Sequence, residues 1–253
     1  VPSGADPFKG VAAGAYCGQA ADKRLVGHGK SGGVVTALLY DLLDRRRIER
    51  ALVTQMPEDG SLRPRCLLTS DREDLYRAQG SKYCPAALNA ALPGDLTDAG
   101  SRMAMVGLPC HVHGLRNLQR RMEQNEHTGI TVIGLVCANV LSYLAMTSLI
   151  RTAGEDERDV VSFRYKDKSL RGWPGDVCLR TRRGGVKYLS SRCRYAVWEA
   201  FTPIACRLCF DKLNILADIV VGDPWNIKQD DREGHSVVLA RTQRGKDLIL
   251  GAQ

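Results

Sequence analysis

The sequence predicts an α/β protein: a mixed sheet core with flanking helices, plus a smaller antiparallel β region in the C-terminal half. Three observations carry this. Strand-like and helix-like segments alternate over residues 34–153. Two apolar runs, MAMV at 103–106 and ITVIGLV at 130–136, have the texture of buried strands. Beyond Gly154 the pattern changes to short alternating segments, as antiparallel strands require.

The elements follow in order. VVTALLYDLL at 34–43 has helical spacing and is opened by Gly32-Gly33. ALVTQ at 51–55 and RCLLT at 65–69 read as short strands. Ser70-Asp71 can cap a helix running to about Arg77, with Glu73 in its first turn. GSKYCP at 80–85 is a loop, followed by an alanine-rich helix that ends near Leu92 and is broken by Pro93-Gly94-Asp95. The strand at 103–106 runs directly into GLPC, and a helix is expected at 111–124. The strand at 130–136 ends on Cys137, and a helix is expected at 142–153. EDERD at 155–159 reads as a charged loop, and VVSFRY, DVCLRT and GVKYL as antiparallel strands with a turn at 183–185. A short helix around 195–200, then PIACRLCFDK and the strand ADIVVGD at 217–223, complete the pattern. A soft boundary near residue 155 divides the chain into regions 1–154 and 155–253.

Composition limits the function classes. The 253 residues are 44% hydrophobic and 25% charged, as in ordinary folded proteins, and are ample for a buried core. No run approaches the roughly 18 apolar residues of a membrane span. The opening VPSGADPFKG lacks the basic and apolar parts of a signal peptide and has no initiator Met, so a trimmed chain in the cytoplasm is expected. The net charge of +8 suits nucleic acid, an anionic cofactor or an acidic protein partner. The basic clusters at 45–47, 120–121 and 180–183 read as solvated faces, the first near a helix end where cations suit the dipole. No nucleic-acid-binding motif accompanies them, and no nucleic-acid partner is expected.

Nine cysteines, at 17, 66, 84, 110, 137, 178, 193, 206 and 209, are many for such a chain. An odd count without a secretory signal argues against a disulfide framework and for metal or cluster ligation by some of them. Cys66, Cys178 and Cys193 lie among strand-like or helix-like residues and read as small packed hydrophobes. Cys206-Arg-Leu-Cys209 is the strongest local signal. A C-x-x-C puts two sulfurs on one side of a tight turn, where they can hold zinc, hold an iron–sulfur cluster or act as a redox dithiol. There is no second C-x-x-C, so a four-cysteine site needs two thiolates from elsewhere. Cys110 and Cys137, at the carboxyl ends of two predicted strands, are the natural candidates, because open α/β sheets bind ligands there. Spacing alone does not prove that the four converge.

Weaker signals lie elsewhere. GHGKSGG at 27–33 opens a helix and offers backbone amides, Lys30 and Ser31 to a phosphate, although it is neither a P-loop nor a dinucleotide fingerprint and equally fits a flexible turn. Gly80-Ser81-Lys82-Tyr83 adds a cation and two hydroxyls, and Gly222-Asp223-Pro224-Trp225 follows a buried strand.

Together these stretches resemble the beta-subunit family of coenzyme F420 hydrogenases and dehydrogenases, whose members include chlorophyll and chlorophyllide reductases. The carrying stretches are KSGGVVTALL at 30–39, GSKY at 80–83, VGLPC at 106–110, IGLVC at 133–137, FRYKDKSLRGWPGD at 163–176, CRLC at 206–209 and ADIVVGDPWNI at 217–227. They stand in the family's order and span residues 15–230. The resemblance implies an iron–sulfur flavoprotein oxidoreductase with bound FAD and a 4Fe–4S cluster. Its flavin-binding region would be 1–154, with the C-x-x-C cluster motif in 155–253. Carried residue by residue, the flavin contacts would be Lys30, Ser31, Gly32, Gly33, Thr36, Ser81, Lys82 and Tyr83, with Asn139 as a further candidate. Lys30 and Lys82 would neutralise the pyrophosphate and the Gly32 and Gly33 amides would hydrogen-bond it. The cluster ligands would be Cys110, Cys137, Cys206 and Cys209. Two departures stand out: His111 where the family often has Gln, and Cys84-Pro85 after GSKY, which raises an extra ligand, a redox thiol or a packed cysteine as roles for Cys84. The cysteine-dense ferredoxin module of many relatives is not in this sequence, so electrons are expected from ferredoxin, from reduced deazaflavin coenzyme F420 or from a redox partner subunit.

Three functions remain open at this point. The chain is a reductase in its own right, with His28, His111 and His113 as candidate proton donors. Or it is an electron-relay subunit of a larger complex. Or, from another class, it is a zinc-stabilised binding protein.

Overall fold

The computed structural model describes residues 6–94, 102–122, 129–225 and 232–252. In chain order the first elements are β1 (Gly14–Gly18), α1 (Lys23–His28), α2 (Val34–Asp44), β2 (Arg50–Gln55), β3 (Arg65–Thr69) and α3 (Arg72–Arg77). Next come β4 (Met103–Gly107), α4 (Pro109–Arg121), β5 (Ile130–Leu135) and α5 (Tyr143–Thr152). The small-sheet strands β6 (Val160–Asp167), β7 (Asp176–Thr181) and β8 (Val186–Leu189) follow. Three short helices, α6 (Ser191–Ala196), α7 (Trp198–Phe201) and α8 (Ile204–Arg207), lead to β9 (Ile219–Gly222), β10 (Ser236–Ala240) and α9 (Gln243–Gly251).

Local chemistry sets several boundaries. Asp71 caps α3, its side chain accepting from the Glu73 amide at 2.8 Å. Pro109 stands in the first turn of α4, where its missing N–H costs nothing. Gly33 has φ +72°, and a side chain there would lie 2.8 Å from the Leu25 carbonyl, so only glycine fits the turn into α2.

The large sheet has seven strands in the order β1-β10-β9-β5-β4-β2-β3. Its centre, β9-β5-β4-β2, is parallel; β3 pairs antiparallel on one flank, and β10 and β1 do so on the other. Successive residues feed opposite faces. Ala51, Val53, Ile133 and Ile219 pack with Leu38, Leu39 and Leu42 of α2 and Leu248 of α9. Leu52, Val132 and Val220 pack with Val112 and Leu115 of α4. Burial on both faces is why these strands are continuously apolar, and each fully buried Leu or Val contributes about 1.5–3 kcal/mol. The antiparallel sheet β6-β7-β8 packs Phe163, Tyr165, Val177 and Leu179 against Met146, Leu149 and Ile150 of α5.

The mixed sheet and the separate antiparallel sheet agree with the expected fold class. The point expected near residue 155 falls between α5 and β6, and β9 and β10 return to the large sheet. The alanine-rich helix before Leu92 is instead a single 3₁₀ turn, Leu88–Ala91, hemmed in by Pro85 and Pro93. The helix expected around 195–200 is two helices broken at Val197. β1, α1, β10 and α9 were not legible: β1 alternates half-buried and exposed residues between two glycines, and α1 is too short to show a period. Of the expected segments, residues 123 and 124 of the helix after Cys110, Asp95, and the last two residues of ADIVVGDPWNI lie outside the described residues.

Candidate functional site

Two features open at the carboxyl edge of the parallel strands. The first is the cysteine set. β4 and β5 pair in parallel with Gly107 opposite Gly134, and Cys110 and Cys137 each follow three residues later. The C-x-x-C segment is stapled beside them. The Cys137 amide donates to the Lys212 carbonyl at 3.0 Å. The Lys212 ammonium donates to the Ala138 carbonyl at 2.6 Å and the Cys206 carbonyl at 2.9 Å. Asn214, wholly buried with φ +52°, donates from Nδ2 to the Gly107 carbonyl at 2.9 Å and the Leu135 carbonyl at 3.3 Å. A side chain on Gly134 would lie 2.5 Å from the Asn214 amide, so glycine there permits the clasp.

The thiols feel one another. Burial pushes Cys137 up to about 12, with Cys110, Cys206 and Cys209 adding to the shift. Burial also raises Cys110, and Cys206 and Cys209 again contribute. All four are free cysteines. Among the described residues no group of three or more His, Cys, Asp or Glu side chains is set to hold a metal ion as it stands. The donor chemistry, four cysteines from three segments whose thiolates would repel one another, nonetheless fits a thiolate-bound cation, which would relieve that repulsion.

The second feature is a cleft of about 670 Å³ beyond the end of β2, walled by the loop after β2, the segment from α3 to Lys82, and β6. That volume suits an organic cofactor. Lys30, Ser81 and Lys82 line it. Burial pushes Lys82 down to about 7, and Lys30 lowers it further. Burial pushes Lys30 down to about 8, partly opposed by Asp167. The Lys82 ammonium donates to the Ala78 carbonyl. The nearby carboxylates are engaged: Glu58 accepts from Arg164 at 2.8 Å and Ser162 at 3.1 Å, and Asp167 accepts from the Ser169 amide at 3.0 Å. Two half-buried ammonium groups thus share one cleft without a carboxylate bonded to either among the described residues, an arrangement that favours an anionic ligand.

The other expected flavin contacts lie outside the cleft lining. Ser31 Oγ donates to the His235 carbonyl. The Gly32 amide, expected to meet a pyrophosphate, donates to Ser236 Oγ at 3.1 Å. Gly33 starts α2, and Thr36 is buried within it. Tyr83 sets its ring edge-on to Tyr165, a cleft residue, and to Trp198 of α7, with centroids 5.5 and 5.3 Å away. Asn139 lies on the cysteine side, its Nδ2 donating to Thr202 Oγ1 at 2.9 Å.

The three histidines part company. His111 is structural: its Nδ1 accepts from the Leu108 amide at 3.3 Å and its Nε2 stands 3.1 Å from the Ala86 carbonyl, which leaves neither nitrogen for a substrate. His113 Nε2 meets the buried Asp211 carboxylate at 2.9 Å. His28 lines the cleft. Cys84 is buried in the core of the small sheet, where burial pushes its thiol up to about 11, and it packs there as a small hydrophobe. Cys178 is likewise buried, Cys66 and Cys193 are half-buried, and Cys17 is exposed on β1. Sequence reasoning passed over Tyr76, Gln79, Arg164 and Lys166 in the cleft, and Lys212 and Asn214 beside the cysteines. Arg164 and Lys166 had a signal, since they alternate along FRYKDK.

Comparison with known proteins decides the family. Residues 15–93 match the N-terminal model, and residues 100–253 the C-terminal model, of the coenzyme F420 hydrogenase/dehydrogenase beta subunit. The chain belongs to this family. Curated relatives include F420-dependent oxidoreductases and subunits of them. The coenzyme F420-dependent sulfite reductase of Methanocaldococcus jannaschii is 28% identical over 87% of this chain and 34% of its own length. The F420-dependent formate dehydrogenase 1 subunit beta of Methanococcus maripaludis is 26% identical over 94% of this chain and 59% of its own length. This family member thus spans about a third to three fifths of those relatives. A chain of the F420-reducing [NiFe] hydrogenase complex from Methanosarcina barkeri shares the fold, with a TM-score of 0.73 at 22% identity over 98% of this chain and 81% of that one. Among the described residues no helix is long and apolar enough to cross a membrane.

Proposed function

We propose that this family member is an iron–sulfur flavoprotein that passes electrons between a hydride or one-electron donor, reduced coenzyme F420 or ferredoxin, and a substrate or partner subunit. FAD would lie in the cleft, with Lys30 and Lys82 facing its pyrophosphate and Ser81 beside it. Cys110, Cys137, Cys206 and Cys209 would hold a 4Fe–4S cluster. A flavin exchanges electrons in pairs or singly and a cluster exchanges them singly, so the two cofactors together would link hydride donors to one-electron carriers.

The single observation that carries this reading is the shared edge: a cleft with two half-buried lysines beyond β2, and beyond β4 and β5 Cys110 and Cys137, each near enough to Cys206 and Cys209 to feel them. The protein's own tasks follow from it. The half-buried Lys30 and Lys82 would face the ligand's anionic group in a partly desolvated wall, and the Lys212 and Asn214 clasps hold the cysteine loops in place. Tyr165, Tyr83 and Trp198 form packed aromatic contact from the cleft to α7, the helix before the one that carries Cys206. Ile204 and Leu208, 74% and 78% exposed beside the C-x-x-C, favour a relay role with a redox partner docked there. The cytoplasm is the proposed location.

The test is an anaerobic absorbance spectrum of the purified chain with iron, sulfide, zinc and acid-released flavin assayed on one sample. Flavin bands with about four irons per chain support the reading. Zinc without iron or flavin overturns it and brings back the zinc-stabilised alternative.

A further inference from the structure

His28 ends α1 and lines the cleft, with its ring stacked on Tyr76 at 4.3 Å and 19° between planes. Its Nδ1 lies 3.0 Å from Gln79 Oε1. The opposite end of that amide fixes the proton. Gln79 Nε2 lies 3.2 Å from the Leu25 carbonyl, an acceptor only, so the amide must present its NH₂ to Leu25 and its oxygen to His28. An oxygen facing Nδ1 requires the hydrogen on Nδ1. In the neutral ring Nε2 is then a bare lone pair, and it has no partner among the described residues.

We infer that His28 Nε2 is a specificity-determining acceptor that receives a hydrogen bond from an N–H group on the heteroaromatic part of the cleft's ligand. This rests on the flavin reading of the cleft. The surroundings favour the neutral ring: burial lowers its affinity for a proton most, the Gln79 hydrogen bond partly offsets this, and Lys30 and Arg164 oppose a charge there. Glu58, from the loop after β2, favours the charge but is bonded to Arg164 at 2.8 Å. The proton-donor role expected for His28 is thereby replaced by an acceptor role. In FAD two groups offer such a donor, the exocyclic amine of adenine and the imide N–H of the flavin ring.

The tautomer is read first, by long-range ¹H–¹⁵N correlation of the histidine rings in the ligand-free chain at neutral pH, with H28L identifying the signal. Hydrogen on Nδ1 supports the inference, and hydrogen on Nε2 overturns it. Calorimetry then compares FAD, FMN and ADP on the wild-type chain, H28L and H28Q. H28L is expected to weaken binding about tenfold, the worth of one buried hydrogen bond, and H28Q, which keeps an acceptor, to restore most of it. A loss with FAD and ADP assigns the adenine amine, and a loss with FAD and FMN assigns the flavin imide. Equal affinity of wild type and H28L for all three overturns the role of His28 while the flavin reading stands. Failure of the wild-type chain to bind any of them overturns both.

Discussion

Gly107 and Gly134 face each other across adjacent parallel strands, and a cysteine follows three residues beyond each: Cys110 in the first turn of α4 and Cys137 in the loop after β5. Parallel register brings the two strand ends level, and the turns that follow leave the thiols near enough that Cys110 adds to the upward shift of Cys137. The C-x-x-C then needs only the Lys212 and Asn214 clasps to stand beside them. Loss of a cysteine from this group is therefore expected to differ in kind from loss of one elsewhere. After anaerobic reconstitution, Cys137→Ala and Cys206→Ala should lose most bound iron and sulfide, while Cys66→Ala, on β3 against Thr54, keeps both. Equal loss in all three variants would sink the ligand assignment.

Asn214 supports that group through the backbone. Its amide bonds two strand-end carbonyls, and its φ of +52° is one that Asn tolerates better than Ala. Asn214→Ala should cost about 2–4 kcal/mol in urea unfolding, from two lost buried bonds and a left-handed backbone. A change below about 0.5 kcal/mol would show that the clasp carries no weight.

Gly32 separates packing from cofactor contact. A methyl group there would lie 2.6 Å from the Gly18 carbonyl and 3.0 Å from the Ser236 amide, both backbone. Gly32→Ala should therefore lower the melting temperature of the flavin-free chain. Unchanged stability combined with lost flavin would instead return the Gly32 amide to the binding site.

Lys82 gives the pH dependence its sign. The ordinary lysine value is 10.5, and in the fold Lys82 titrates at about 7. Between those values the unfolded chain holds the proton that the folded chain has released, so stability rises with pH through this window. Lys30, lowered to about 8, acts in the same direction above that pH. The urea midpoint of the ligand-free chain should climb from pH 7 to pH 9, less steeply in Lys82→Met. Affinity for an anionic ligand should run the other way, since the charge that attracts it fades as pH rises. Lys82→Met should retain less flavin than the wild type at neutral pH; flavin occupancy equal to wild type would remove Lys82 from the site.

The central strands were legible because burial on both faces forces unbroken apolar runs such as residues 103–106 and 130–136, and Asp71 announced its helix by the chemistry of a cap. The edge strand β1 and the short helix α1 left no such trace, since a half-exposed edge imposes little on composition. The candidate site divides the same way. Residue types and motif order named the cysteines and the two lysines. They did not show that Gly32 spends its amide on Ser236, that His111 caps its own helix, or that Asn139 belongs on the cysteine side.

By itself the sequence determined the strand–helix alternation, the double-sided burial of the central strands and the chemical types available at their ends, because those follow from side-chain polarity and period. Only the tertiary structure decided which of those groups meet. Register brings the ends of β4 and β5, which lead to Cys110 and Cys137, level with each other, and chain reversals bring Arg164 and Lys166 to the cleft. A backbone carbonyl at Leu25, acting through Gln79, settles which nitrogen of His28 is bare. Each of these is a contact between residues far apart along the chain, governed by distances that no local pattern encodes.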